Sequence, residues 1–382
     1  MGKKDMTRRF ISVQGNYYLI KDDKLLKFNR QAISDIYGKD KLSKIDSYDT
    51  FTIKPDNINH EEVVNNDWNL YSKLTHVPKK GEFKTIKMLM EHIFWEDVRM
   101  GYEYVWNLYV CPEQKLPGLG LVSQLNGTGK STFLELMKMC FQNNAAFVDH
   151  EALVDSFNDS WTGKLVVLID EKPDGKSALK EVQKLKKLIT GFYVMRKAKY
   201  VADKEVPNFS KFIIASNDID SVIRIEQENS RFWIIDVPQI KNRDHNIFDK
   251  LKSEVPAFLH YLYNEFKARP SRGRVYFHED EFQNKASKNI QYESRSSVDF
   301  EIEALLERYH DQAVLDDDTK IYSLYFSAKD VADKLKKYET KYIRRSLLRS
   351  FNLSQVDKQM RYTDPFSTEA RRGLPFKYDI KE

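Results

Sequence analysis

The apolar residues follow two periodicities. Ile86, Leu89, Met90 and Ile93 recur at i, i+3, i+4 and i+7, which is one face of a helix. Beyond them, short apolar runs alternate with helix-like segments. The runs are LGLVS before residue 124, LVVLI ending at Ile169, FIIAS ending at Ser216 and FWIIDV ending at Val237. Strand-length runs separated by helices predict a parallel α/β sheet. The chain ahead of this core reads as short strands (FISVQGNYYLIK) and helices, then an irregular stretch, NLYSKLTHVPKKGEF. Behind the core, KARPSRGRVYF sets Pro270 and Gly273 among charges and reads as a linker. Three regions result, with no internal repeat: an N-terminal α+β region over residues 1–84, an α/β core over 85–267, and a linker with a small C-terminal domain over 268–382.

Composition narrows the class. Of 382 residues, 41% are hydrophobic and 31% charged, values of a globular chain and not a disordered one. Cys111 and Cys140 are the two cysteines. They cannot build a disulfide framework and lack zinc-ligand spacing, so a reducing compartment is expected. The N-terminus, MGKKDMTRRF, is charged with no apolar stretch after it, and no run approaches membrane-spanning length. A soluble protein of the cytoplasm, with no membrane partner, is the expectation. The net charge of +5 is only a mild hint of an acidic partner.

Polar motifs follow three of the four predicted strands, at the carboxyl ends where open α/β sheets bind ligands. After the first comes NGTGKST (Asn126, Gly127, Thr128, Gly129, Lys130, Ser131, Thr132), then the helix-like TFLELMKMCF. Strand, Gly-rich loop and helix in that order are the layout of a P-loop. Gly127 and Gly129 let backbone N–H groups approach phosphate oxygens, and the helix N-terminus adds its dipole. Lys130 would reach the β and γ phosphates of ATP, and Ser131 would ligate Mg²⁺. Gln124 stands where the usual pattern has its first glycine. The plainer reading is a Gly-rich turn with a solvated lysine.

The second strand ends in Asp170 and Glu171. Asp170 could hold Mg²⁺ and Glu171 could polarise the attacking water; the plainer reading is a solvated acidic turn. Asn217 follows the third strand and could orient that water, or simply form a turn. Arg231 lies just before the fourth and could stabilise transition-state charge on a neighbouring subunit's ATP. A surface ion pair is its plainer reading, and Arg224 is a weaker candidate finger.

Charge is unevenly spread. Lys172 to Lys204 holds ten basic residues against three acidic ones. Its second half, GFYVMRKAKYVADKEV, reads as a β-hairpin with Lys197, Lys199 and Lys204 about its basic tip, suited to phosphate contacts. Lys341 to Glu382 holds ten basic residues against five acidic. There SAKDVADKLKKYETKYIRRSLLRSFN reads as helix–turn–helix, with Arg344 and Arg345 on the second helix and Lys358 and Arg361 in a following wing. A winged-helix-like domain fits, and so does a structural or protein-binding one.

With these residues in place, NGTGKST, LVVLIDE, LKKLITG with its basic hairpin, FIIASND and SRFWIIDV resemble the motif set of the superfamily 3 helicases. The stretches NLYSKLTHVPKKGEFKTIKMLMEHIF and KLPGLGLVSQ are similar to the phage and plasmid primase-helicase branch, related to the poxvirus-type helicases. The resemblance covers roughly residues 65 to 265. It implies an AAA+ P-loop NTPase core that binds ATP and Mg²⁺ and assembles as a hexameric ring on one DNA strand. Lys130, Ser131, Asp170, Glu171, Asn217 and Arg231 would take the roles given above, and Lys197 and Lys199 would sit at the DNA-contacting hairpin. Ser230 replaces a frequent second arginine, leaving Arg231 alone. No primase domain is evident, so a separate primase or polymerase would prime, in the cytoplasm of a bacterial host. Alternatives are an origin-binding or loader ATPase, a small-molecule P-loop kinase, and a DNA-binding module with structural ATP.

Overall fold

The computed structural model of the chain describes residues 8–21, 24–123, 125–149, 152–153, 155, 157–170, 178–197, 203–217, 231–240, 244–271, 273–282, 297–316 and 320–380. They form two compact units, one from the described residues up to 282 and one from those beginning at 297.

The first unit opens with β1 (Arg9–Val13), β2 (Asn16–Lys21), β3 (Lys24–Phe28), α1 (Arg30–Tyr37), α2 (Lys39–Leu42) and β4 (Asp46–Tyr48). The four strands make a sheet of order β3-β2-β1-β4. Asn29 caps α1 by accepting from the Gln31 N–H at 2.7 Å, and Ile33 packs on Phe10 and Leu19. Three short strands, β5 (Phe51–Thr52), β6 (Val63–Val64) and β7 (Asp67–Asn69), form a second small sheet. Trp68 of β7 covers Ile11 and Val13. Residues 70–83 are neither helix nor strand. Side chains of the core serve their backbone: the Ser72 N–H donates to Asn144 Oδ1 at 2.9 Å and the Thr75 N–H to Gln142 Oε1 at 2.8 Å.

The core follows with α3 (Lys84–Phe94), α4 (Val98–Val110), β8 (Gly118–Val122), α5 (Lys130–Phe141), β9 (Ala145–Phe147), β10 (Val166–Asp170), α6 (Ala178–Thr190), β11 (Tyr193–Arg196), β12 (Lys204–Pro207), β13 (Lys211–Ser216), β14 (Phe232–Asp236), α7 (Ile247–Asn264) and α8 (Glu279–Phe282). Five strands form one parallel sheet of order β14-β8-β13-β10-β9. All four predicted runs are strands of it. β9 is the strand the periodicity does not show: it has three residues at the sheet edge. α3 buries Ile86, Leu89, Met90 and Ile93, the predicted stripe.

Both sheet faces are covered, which is why its strands read as unbroken apolar runs. Leu119, Leu121, Ile213, Ala215, Trp233 and Ile235 share one core with α3, α4, α5 and α7. Their alternating neighbours Phe212 and Ile214 are equally buried, Phe212 against Trp161 with ring centroids 6.0 Å apart. Trp233 sits centrally, stacked on Phe94 at 5.2 Å and tilted against Phe277 at 5.9 Å. Trp233→Ala is expected to lower the unfolding free energy by about 3–5 kcal/mol. A urea melt shows this as a lower midpoint; an unchanged midpoint would remove Trp233 from the load of the core.

The segment expected as a linker from residue 268 belongs instead to the first unit. Tyr276 and Phe277 are buried in its core, and Val275 bridges Lys115. The physical reason is a buried carboxylate. Glu103 on α4 is fully covered, and Arg269 satisfies it with Nη2 at 2.6 Å and Nε at 2.9 Å while also pairing with Glu281.

The second unit contains α9 (Ser297–Arg308), β15 (Val314–Asp316), β16 (Ile321–Phe326), α10 (Ala328–Leu335), α11 (Thr340–Arg349), β17 (Met360–Thr363), β18 (Ala370–Gly373) and β19 (Phe376–Asp379). Ser327 and Asp330 make a capping box that starts α10. Leu306, Leu324, Val331, Ile343, Leu347 and Phe376 form the core. α10 and α11 are a helix pair joined by a short turn, and β17 and β18 are the hairpin that follows it. No helix among the described residues is long and apolar enough to cross a membrane.

Candidate active site

The loop between β8 and α5 bends through left-handed backbone, with φ of 71° at Gly127 and 87° at Gly129. A side chain at Gly129 would be strained, and its Cβ would stand 3.0 Å from Ile240 Cδ1. The N-cap of α5 is Gly129, which has no side chain to cap the helix and leaves its first turn open to an outside acceptor. The loop is held from behind. The Ile240 N–H donates to the Gly127 carbonyl at 3.3 Å, and His92 Nε2 lies 3.0 Å from the Thr128 carbonyl.

Asn126, Gly127, Thr128, Gly129, Lys130, Ser131 and Thr132 line a cleft of about 230 Å³ together with Asp170, Ala215, Ser216 and Asn217. Three strand ends therefore converge, and their side chains touch. Lys130 Nζ donates to Asn217 Oδ1 at 2.9 Å and to Thr128 Oγ1 at 3.0 Å. Ser131 Oγ donates to Asp170 Oδ1 at 3.1 Å, and Asn217 Nδ2 to Asn126 Oδ1 at 2.9 Å. The sheet order explains the contact, because β13 lies between β8 and β10 and carries Asn217 to the middle of the cleft.

Burial pushes the Lys130 ammonium below its ordinary pKa, and Asp170 and Asp236 partly offset that shift. Asp236 ends β14 at the same sheet edge. Sequence reasoning passes over it, since FWIID looks like any strand with an acidic end; the signal was its place after a buried run, shared with Asp170. His92 and Ile240 are missed for another reason. Their role is contact with a loop 36 residues away for His92, and no local pattern marks it.

The donor set suits a divalent cation and a phosphate chain. Two neighbouring oxygens on an octahedral Mg²⁺ with bonds near 2.1 Å stand roughly 3.0 Å apart. Ser131 Oγ and Asp170 Oδ1 stand 3.1 Å apart. A buried cation at Lys130 and the N-terminus of α5 can take the negative charge beside it.

Other predicted residues lie elsewhere. Arg231 is at the opposite sheet edge, where its carbonyl accepts from the Gly118 N–H at 2.8 Å and Nη1 donates to the Lys186 carbonyl at 3.0 Å. β14, five residues long, separates it from Asp236 by roughly 17 Å. The basic segment does form an antiparallel hairpin, β11 with β12. Asn158 anchors it, donating to the Met195 carbonyl at 2.8 Å and accepting from the Lys197 N–H at 2.8 Å. Lys197 Nζ lies 3.5 Å from Asp203, and Lys204 is exposed. Arg344 and Arg345 are exposed on α11, Arg344 donating to Gln355 Oε1 at 3.1 Å. Gln124, Glu171, Lys199, Arg224 and Ser230 lie outside the described residues.

A protein family described as "Family of unknown function (DUF5906)" matches residues 121–231, the stretch from β8 to Arg231. The chain is 29% identical over 194 residues to the DNA primase-polymerase of Nitratiruptor phage NrS-1; the match takes in 48% of this chain and 27% of that protein. The chain thus spans about a quarter of the length of this curated relative. Among solved structures, the apo form of the NrS-1 C-terminal region (305–718) is similar with a TM-score of 0.66 at 17% identity, covering 100% of this chain and 99% of that one. An A-form apo structure of the same region gives 0.65 at 16% identity, covering 96% and 94%. The described residues thus share the mixed α/β fold of that C-terminal region.

Proposed function

We propose that the chain is the ATP-driven motor of a phage or mobile-element DNA replication protein, with an AAA+ P-loop core of the superfamily 3 helicase type. The observation that carries this reading is the junction of three strand ends: Lys130 on Asn217, and Ser131 on Asp170. A kinase needs the loop, but it does not need a polar side chain from an inserted strand on the loop lysine. That contact lets the state of the γ-phosphate reach β13, and through it the hairpin before β13. Similarity to a phage DNA primase-polymerase adds support for the replication setting.

In this account the amides of the loop and of α5 hold the phosphates of ATP, and Lys130 draws charge from the β and γ groups. Ser131 and Asp170 would hold Mg²⁺, which supplies charge neutralisation between the phosphates when bound. Asn217 orients the attacking water and Glu171 takes its proton. Arg231, remote from its own cleft, serves the cleft of the next subunit in a hexameric ring. Lys197, Lys199 and Lys204 contact the phosphates of single-stranded DNA, and the second unit, with Arg344 and Arg345, is a winged-helix-like DNA-binding module.

Strand displacement on a forked duplex tests this reading. ATP-dependent unwinding is the expected result. DNA-stimulated hydrolysis without unwinding would favour the second reading, an origin-binding or loader ATPase, which the exposed basic face of α11 suits. The placement of Arg231 has its own test. Arg231→Ala and Lys130→Ala chains, each inactive alone, should regain turnover when mixed, because one keeps the cleft and the other the arginine. No recovery on mixing would mean that Arg231 does not act between subunits.

A further inference from the structure

At the foot of the hairpin, Phe192 is 55% exposed and its neighbour Tyr193 is 64% exposed. Two cations lie by the Phe192 ring, Arg274 exposed and Lys115 buried. The Arg274 guanidinium carbon stands 4.9 Å from the ring centroid and Lys115 Nζ stands 5.8 Å from it. The Phe192 backbone and both cations are held by hydrogen bonds. The Asn208 N–H donates to the Phe192 carbonyl at 2.8 Å, and Asn208 Nδ2 reaches the carbonyls of Leu188 at 2.6 Å and Gly191 at 3.0 Å. Arg274 is tied to the Thr190 carbonyl, and its own carbonyl accepts from Gln114 Nε2 at 3.1 Å. Lys115 Nζ donates to the Asn208 carbonyl at 2.5 Å.

An exposed aromatic ring ordinarily costs solvation and gains little from being held rigid. Here Asn208 and Lys115, both buried, help hold the backbone that carries one, with the positive charge of Arg274 beside it. An exposed aromatic ring next to an exposed arginine is the chemistry that receives unpaired bases: the ring stacks and the guanidinium meets a phosphate. A duplex offers no free base face, and an acidic peptide offers no planar group to match the ring.

We propose that Phe192, with the exposed Arg274 at its ring and Tyr193 beside it, is a base-stacking site for single-stranded nucleic acid. The inference deepens the DNA reading above and rests on it for the partner. It assigns to the hairpin foot a stacking role distinct from the phosphate contacts of the lysines. Stacking is uncharged, so it leaves a signature that phosphate contacts do not.

The test is binding of an oligo-dT strand and of an abasic strand of equal length, followed by fluorescence anisotropy across a salt series. Phe192→Ala should bind oligo-dT roughly tenfold more weakly with an unchanged salt slope, since no cation is lost. Phe192→Leu, which keeps an apolar side chain over Lys115, should lose as much, and Phe192→Trp should restore binding. On the abasic strand all four proteins should bind alike. Equal oligo-dT affinity, or an equal loss on the abasic strand, would overturn the proposal. Unchanged DNA binding with a smaller particle in sedimentation would overturn it in favour of a subunit contact. Weaker binding by Phe192→Ala in a protein that does not hydrolyse ATP would leave this site standing and sink the motor reading alone. A wild-type chain that binds no oligo-dT would sink both.

Discussion

Lys130→Ala is expected to cut kcat/KM for ATP hydrolysis by about 100- to 1,000-fold, the scale of losing one pre-set charge stabiliser in a closed site. The ammonium is almost completely buried and yet opens onto the cleft. Its two partners, Thr128 and Asn217, are polar groups on the cleft wall that water can satisfy when the amine is gone. The fold should therefore survive, and a thermal melt close to that of the unaltered chain would show it. Turnover within a few-fold of the unaltered protein would mean that the loop is a Gly-rich turn with an idle lysine.

If Asp170 holds Mg²⁺ as proposed, Asp170→Asn should lower hydrolysis by about 100-fold or more, the effect of losing a charge worth several kcal/mol at a metal. The amide keeps the size of the carboxylate and can still accept from Ser131, so the loss is electrical and not steric. Raising the magnesium concentration should recover part of the rate. A second effect follows from Lys130. Asp170 is one of the two carboxylates that raise the pKa of this ammonium against the effect of burial. Without it that pKa falls further, so more Lys130 is neutral at high pH and the alkaline limb of the rate profile should move to lower pH. A rate that ignores both magnesium and the substitution would place the metal site elsewhere.

The legible part of this chain is what local chemistry dictates. VVLID and KFIIAS are strands because both faces of the sheet are covered, and the unbroken apolar run records that covering. Lys130 and Ser131 stand out because a tight loop before a helix needs glycines at fixed spacing. What was not legible depends on which strand lies beside which. Nothing in FIIASND says that β13 enters between β8 and β10, yet that insertion makes Asn217 a partner of Lys130. His92 and Ile240 act through the backbone of a distant loop. Arg274 sits in a stretch whose Pro, Gly and charges read as a linker, and only its tie to Thr190 and its place over Phe192 give it a role. Glu103 and Arg269 make the same point: two charges in unremarkable local contexts become one buried pair when the chain closes.

The central claim is that this cleft hydrolyses ATP and that the first unit couples the reaction to DNA. ATP turnover by the purified chain, measured with and without single-stranded DNA, tests it most directly. The account predicts magnesium-dependent turnover that rises when single-stranded DNA is added and vanishes in Lys130→Ala. Turnover indifferent to DNA, or none in either condition, would contradict it.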